Sequence, residues 1–370
     1  MPGLFLRRKN VVRPIGLRAR PGPSARSGSA LIVVLWVLSL LAMFVVAFAF
    51  DMHIEARITS TWRKQLKAGY LARAGVDLAR AALLETSDSD LNNTDPAAYL
   101  AKGSDEQLRY AVWGVAHGSG AKIERELGEG MVTVSIQPEN ARMNVNSLIS
   151  ANRDATFQAW ESLFESAGVP RDLWDGLVDC LMDWVDQNEL THLNGAESLY
   201  YESMSPPYKC KNRPLATVDE LIMIKGFNEP MPDSDRTVYD AVVGHLTAYS
   251  EGQKVNINAV SRDTLMAVLN IDAQLADEII RERAGPDGNE GTEDDRPFKD
   301  LNDLLARVPM LGQGVAERIT FSATGRFTIQ ARGRVGDLEQ VITCVVKLVD
   351  KQLVILNWFE GPPEDNPITS

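Results

Sequence analysis

Cysteine is nearly missing from this chain: there are three among 370 residues, and no Cys-x-x-Cys pair. That excludes a disulfide framework and a thiolate zinc site. Histidine is nearly as sparse, and His53, His117, His192 and His245 are scattered, none of them in a His-Glu-x-x-His or comparable spacing. With no Gly-x-Ser-x-Gly turn either, no nucleophile with its base is visible, and the chain reads as a non-enzyme. Positive charge is in deficit, with 38 Lys and Arg against 50 Asp and Glu and a formal charge of −12. Such a balance repels phosphate backbones, so nucleic acid is a disfavoured partner. Proline is absent between positions 30 and 95, and long apolar runs are absent everywhere but one.

That one run is Ala30 to Phe50, 21 residues without a charge, long enough to cross a bilayer once as a helix. Before it lie Arg7, Arg8, Lys9, Arg13, Arg18, Arg20 and Arg26 and no acid. The positive-inside bias keeps this basic end in the cytoplasm and sends everything after Asp51 across the membrane. A full-length apolar segment that runs on into a helical pattern predicts a permanent anchor rather than a cleaved secretory signal. Without its first 28 residues the chain holds 31 basic residues against 50 acidic ones, a formal charge of −19. Beyond the anchor, Ile54, Ile58, Trp62, Leu66, Tyr70, Ala74 and Leu78 keep helical spacing. One helix through membrane and exterior is predicted, about 55 residues and on the order of 80 Å long.

Arg26-Ser27-Gly28 followed by Ser29-Ala30-Leu31-Ile32-Val33-Val34-Leu35-Trp36 resembles the leader of type IV pilins and type II secretion pseudopilins. The resemblance implies cleavage after Gly28 by a prepilin peptidase and methylation of Ser29, where the family usually has phenylalanine. It departs again at Val33, since ordinary members carry glutamate at that fifth mature position. The large minor pseudopilins of the general secretion pathway protein K family lack it, and Ala30 to Leu38 is similar to their helix. There is a physical rationale: an unpaired carboxylate in the apolar zone costs roughly 2.5–3.5 kcal/mol, so a subunit with no neighbour above it does better with valine. The bland alternative is an ordinary signal anchor.

Gly130 to Ile136 alternates and is β-branched, which predicts a strand; helical patterns follow for almost 180 residues before strands return over Arg318–Ala331, Glu339–Asp350 and Gln352–Phe359. Gly333 to Asp337 and Asp350-Lys351 are the turn candidates. A lone early strand cannot satisfy its backbone, so it is expected to pair with the late set in one antiparallel sheet beneath the long helix. The expected fold class is α+β: a pilin-like fold with a long N-terminal transmembrane helix, an antiparallel sheet and a large inserted all-α domain. The boundaries expected are a leader at 1–28, membrane helix at 29–50, first part of the head at 51–143, insertion at 144–318 and returning strands at 319–370.

The insertion carries a diverged repeat. Asn144-Val145-Asn146 matches Asn256-Ile257-Asn258, and Thr217 to Ile222 lines up with Asp300 to Leu305. Thr217 with Glu220 has the pattern of a capping box, and Asp300 that of an N-cap. Two modules are expected, at 144–230 and 255–318. The second resembles a helix-hairpin-helix unit of the sterile-alpha-motif-like type, some of which bind DNA through backbone amides of a glycine-containing hairpin. Here that turn is Leu269-Asn270-Ile271-Asp272, with a carboxylate where an amide nest is needed. Scaffold is therefore the reading, and a membrane-anchored DNA receptor the alternative.

Oxygen-bearing side chains concentrate between the modules. Asp186, Asn188, Asn194 and Glu197 fall at positions 1, 3, 9 and 12 of a calcium-loop spacing, although Leu190 and Thr191 break that pattern and leave a solvated acidic loop open. In the protein K family a segment like Asp183-Trp184-Val185-Asp186 with Gly195-Ala196-Glu197 and a later Asn212-Arg213-Pro214 forms calcium sites. That resemblance implies Asp186, Asn188, Glu197 and Asn212 as ligands of a structural calcium. Read as an acid/base pair, Asp183 and Asp186 need more assumptions than cation coordination does. Since no cysteine or second histidine accompanies it, His192 reads as an exposed loop residue, with a soft-metal ligand the alternative. A second acidic loop, Gly285 to Asp295, reads as solvated, with calcium the alternative, and Cys180 and Cys210 either bridge or stay buried thiols. The resemblance further implies a tip-capping, filament-nucleating role in a type II secretion machine. The implied partners are other minor pseudopilins, the major pseudopilin, the prepilin peptidase and the inner-membrane secretion platform, with the head periplasmic.

Overall fold

The computed structural model describes residues 27–86, 105–232, 234–292 and 294–362, so the expected leader lies outside the described residues up to position 26. The chain forms two compact units, residues 1–62 and 63–370. Helix α1, Ser27–Glu85, has no proline to interrupt it and runs 59 residues. In the first unit every large apolar side chain from Leu31 to Phe50 is exposed. This is a helix long and apolar enough to cross a membrane.

In the second unit the elements follow in order: α2 (Glu106–Ala116), β1 (Ala121–Leu127), β2 (Gly130–Pro138), β3 (Met143–Asn144), α3 (Arg153–Ser166), α4 (Trp174–Val185), α5 (Ser198–Tyr201), α6 (Val238–Val242), β4 (Leu246–Thr247), β5 (Val255–Asn256), α7 (Arg262–Leu269), α8 (Ala273–Ala284), α9 (Leu301–Arg307), β6 (Ile319–Thr320), β7 (Arg326–Val335), β8 (Leu338–Val349) and β9 (Gln352–Gly361). Strands β1-β2-β7-β8-β9 make one antiparallel sheet. Everything from β3 to β6 is inserted between neighbouring strands β2 and β7, whose ends meet at the pair Pro138 and Phe327. The result is an α+β pilin-like fold with an inserted α-helical domain.

One face of the sheet is covered by α1 and α2, through Ala79, Leu83, Val112, Ile123, Val134, Ile329 and Val346. Close approach depends on missing side chains. A Cβ on Gly333 of β7 would overlap the α1 backbone at Ala68 and Ala72, and one on Gly75 of α1 would press on Val132, Val134 and Ala331. Lys64 with Asp337 and Arg73 with Glu360 pair at 3.1 Å along the rim, exposed ion pairs that position more than they stabilise.

The insertion has its own core, with Trp160, Phe164, Leu181, Phe227, Leu265, Ile279 and Leu304 at its centre. Its repeat is real at the level of hydrogen bonds. Asn144 Oδ1 accepts the Asn146 N–H at 2.9 Å, and Asn256 Oδ1 accepts the Asn258 N–H at 3.0 Å. The second asparagine of each pair then clamps a distant backbone, Asn146 at Leu215 and Asn258 at Phe298, accepting at 2.8 Å in both cases. Each motif also opens on a two-residue parallel bridge, β3 with β4 and β5 with β6.

Three expectations about the strands and caps are corrected. The early strand is not alone: β1 precedes it, joined by the two-residue turn Gly128-Glu129, and was hidden because its edge position tolerates Lys122, Glu124, Arg125 and Glu126. The run expected at Arg318–Ala331 is two elements, since Ile319–Thr320 bridges to the insertion and Gly325, at φ +74°, turns the chain into β7. Thr217 makes no cap; Glu220 instead accepts from Lys211 Nζ at 2.6 Å, and the capping box belongs to Thr237 and Asp240. The Asp300 cap is present, accepting the Asp303 N–H at 2.9 Å. At the β8–β9 turn, Asp350 and Lys351 both take positive φ, as a two-residue hairpin requires.

Candidate cation site in the inserted domain

Helix α4 buries nine of its twelve residues, among them two acids four positions apart, Asp179 and Asp183. Spacing of one helical turn puts both on one face, and the following loop folds back to satisfy them. Asp179 accepts from Arg153 Nε at 2.6 Å and from the backbone and side-chain nitrogens of Asn194 at 3.1 Å each. Asp183 accepts the His192 backbone N–H at 3.2 Å and is bonded to the His192 ring through Nδ1.

The loop is tied by its own polar side chains. Asp186 ends α4 and accepts the Asn188 N–H at 2.9 Å, and Asn188 Oδ1 accepts the Leu190 N–H at 2.7 Å. Glu189 accepts from Asn212 Nδ2 and from Ser198 Oγ, both at 3.0 Å, which hold its carboxyl below the usual carboxylate range. Asn212 stands at φ +51° and donates its backbone N–H to the Trp184 carbonyl at 3.0 Å. Its side chain is thereby fixed beside the end of α4.

What remains is an excess of unsatisfied oxygen. Glu197 is 3% exposed, and neither of its carboxylate oxygens receives an N–H or O–H bond; the carboxamide oxygen of Asn212 is buried without a donor too. Burial, then the nearby charges of Asp183, Glu189 and Asp186, pushes the Glu197 carboxyl up to about 7. Asp183, Asp186 and His192 also offer ligand atoms within 4.8 Å of one another, a cluster able to coordinate a metal ion. Cys180 and Cys210 are free, buried thiols pushed up to about 12 by burial, with Cys210 directed at the Asp183 carbonyl at 3.2 Å. Protonated thiols make poor ligands, so the available donors are carboxylate and amide oxygens, the preference of a hard cation, beside one imidazole, a donor that suits transition metals.

Of the residues singled out from sequence, Asp186, Glu197 and Asn212 surround this region. Asn188 is exposed with its oxygen spent on Leu190, and Asn194 turns to Asp179. Gly28 and Ser29 fall within the first turn of α1. The sequence pattern does not single out Glu189 as a ligand, and His192, expected as an exposed loop residue, is half-buried with its ring held against Asp183. The available signal was the Asp179/Asp183 spacing on a helix otherwise too apolar to face water.

Gly195 is the loop's tightest point, because a Cβ there would overlap the Asp183 carboxylate and press on the Asp179 carbonyl. Gly195→Ala is expected to lower unfolding free energy by about 1–3 kcal/mol, read from denaturant midpoints at unchanged slope. An unchanged midpoint would mean that the loop is not seated on α4 as described.

Residues 141–234 match the family model for the first domain of type II secretion system protein K. Type II secretion system protein K of Pseudomonas aeruginosa is 23% identical over 326 residues, 87% of this chain and 89% of that protein. The Aeromonas hydrophila protein of the same description is 23% identical over 92% of this chain and its own full length. Among solved structures, a chain of the GspK-GspI-GspJ complex from the type 2 secretion system of enterotoxigenic Escherichia coli superposes with a TM-score of 0.56 at 18% identity. The match covers 83% of this chain and 99% of that one.

Proposed function

Because this chain belongs to the type II secretion system protein K family, we infer that it is a minor pseudopilin that assembles with other minor pseudopilins at the tip of the pseudopilus. The observation that carries this reading is a pilin-like sheet with a helical domain inserted between β2 and β7, downstream of an apolar helix with Val33 where other pilins have glutamate. The role is structural rather than catalytic. A head enlarged by some 180 residues blocks further subunits from stacking above it, and a helix lacking a buried carboxylate needs no partner there. α1 anchors the chain in the inner membrane beside the secretion platform, with the N-terminus in the cytoplasm and the head in the periplasm, and the major pseudopilin packs below it.

Residues 144–230 and 255–318 are read as two scaffold modules of helix-hairpin-helix type. In the second, Asp272 caps α8 by accepting the Leu275 N–H at 2.9 Å, so the first hairpin presents a carboxylate where phosphate recognition needs amides. This favours scaffold over DNA receptor.

The inserted domain holds a structural calcium. Glu197, Asn212 and Asp186 are its ligands, with Asp183 and Glu189 alongside, and the unpaired oxygens of Glu197 and Asn212 support that reading. The ion supplies positive charge to a buried cluster of carboxylates and catalyses nothing. Asn188, though in the expected set, is the least suited of the four because its oxygen closes a turn.

Maturation is the direct test of the pilin-like leader. In membranes with active prepilin peptidase, mass spectrometry of the purified chain is expected to find a methylated N-terminus at Ser29. A chain that still begins at Met1 would refute processing after Gly28.

A further inference from the structure

The two edges of the sheet are built differently. Edge strand β1 alternates Lys122, Glu124 and Glu126 outward and adds ion pairs from Lys122 to Glu124 and from Arg125 to Asp105, which discourage pairing with another chain. At the other edge, β9 carries no charge from Leu353 to Phe359 and leaves Val354, Ile355, Leu356 and Trp358 between 40% and 56% exposed. Its inner side pairs with β8; among the described residues nothing pairs with its outer side. A seven-residue uncharged run, apolar but for Asn357, with an open row of backbone groups forms a template for another strand.

A groove of about 460 Å³ runs along the same strand. Thr343, Val345, Asn357 and Phe359 of β8 and β9 form one wall, and the other carries Asp219, Asp240 and Asp263, all exposed, against Arg236 and an Arg142 already paired with Glu139. Asn357 Nδ2 donates to the Tyr249 hydroxyl at 3.0 Å and links the two sides. The wall therefore favours a basic side chain from whatever strand joins β9.

We propose that β9 accepts an edge strand from the head of a neighbouring pseudopilin, its alternate apolar residues covering Ile355 and Trp358 and a Lys or Arg reaching the acidic wall of the groove. This rests on the pseudopilin reading above. A second copy of this chain fits poorly, because symmetric pairing brings two acidic walls together. Exported cargo fits poorly as well, since a transient occupant leaves an aggregation-prone edge bare between cycles, whereas a filament neighbour covers it continuously.

The test uses the full-length chain in detergent, co-purified with the other minor pseudopilins of its own secretion system. Ile355→Lys places a charge on the exposed edge, and Leu356→Pro removes an N–H at the bulge, where Leu356 has no partner on β8. Each is expected to weaken co-purification about tenfold or more, with the thermal midpoint of the isolated chain unchanged. Hydrogen exchange on the wild-type complex, which needs no variant, is expected to show new protection at β9 amides. Wild-type binding with undiminished variant binding, or no gain of β9 protection, overturns the inference alone. Failure of the wild-type chain to bind any minor pseudopilin overturns the reading beneath it as well.

Discussion

Replacing Glu197 with glutamine is expected to stabilise the protein in chelator and to abolish its response to calcium. The two effects have one cause. Above the shifted pKa of about 7, the wild-type residue is a buried carboxylate with no N–H or O–H donor and only the Cys210 thiol beside it, next to Asp183, Glu189 and Asp186. An unpaired charge in that position costs several kcal/mol unless a cation answers it, and an amide of the same size removes the charge. With calcium at about a thousand times its dissociation constant, binding adds roughly 4.1 kcal/mol to wild-type stability, more than the charge costs. For a folded unit of about 300 residues that raises the thermal midpoint by about 6 °C. Wild type is then more stable than Glu197→Gln in calcium and less stable in chelator, an inversion that a merely structural glutamate does not produce. The measurement is thermal unfolding of the full-length chain in detergent under both conditions. Asn188→Ala serves as the control and is expected to keep most of the calcium response. Curves for Glu197→Gln that lie below wild type in both conditions would contradict the assignment.

The second large effect sits where the insertion leaves the sheet. Glu139 follows β2 directly and is wholly buried. It accepts from Arg142 at 2.8 Å, from the Thr328 hydroxyl on β7 and from the Thr247 hydroxyl on β4, so one carboxylate ties sheet, insertion and connecting turn together. Asn140 adds a bond from Nδ2 to the Ser322 carbonyl at 3.0 Å, where the chain returns to the sheet. Removing one partner of a buried ion pair costs about 3–5 kcal/mol. Arg142 keeps 24% of its side chain in water and can resolvate, which argues for the low end, about 3 kcal/mol. Glu139→Ala is therefore expected to lower the thermal midpoint by roughly 4–6 °C. Glu139→Gln, which keeps an acceptor for one threonine, falls between it and wild type. A midpoint shift below about 2 °C for Glu139→Ala would show that the insertion is held by its apolar contacts alone.

Strong local patterns survived into the structure. The uncharged run from Ala30, the alternation of Gly130 to Ile136 and the Asp350-Lys351 turn each constrain the backbone through few residues, so composition reveals them. The paired Asn-x-Asn motifs were visible as a repeat, though their clamps on Leu215 and Phe298 depend on contacts far away in sequence. Strand β1 was not legible, because an edge strand half in water carries charges that look like loop. Likewise β6 looked continuous with β7, since β-propensity does not register a break made by Gly325. At the cation site, ligand types at loop spacing pointed to Asp186, Glu197 and Asn212. The places of Asp183, Glu189 and His192 follow from how the loop folds back on α4, which spacing does not encode.

Position in the assembled filament tests the account most directly. Pseudopili assembled with this chain carrying a small epitope at its C-terminus, labelled with gold-conjugated antibody and imaged by electron microscopy, are predicted to show label at one end only. Label distributed along the shaft would contradict a head that nothing can stack upon.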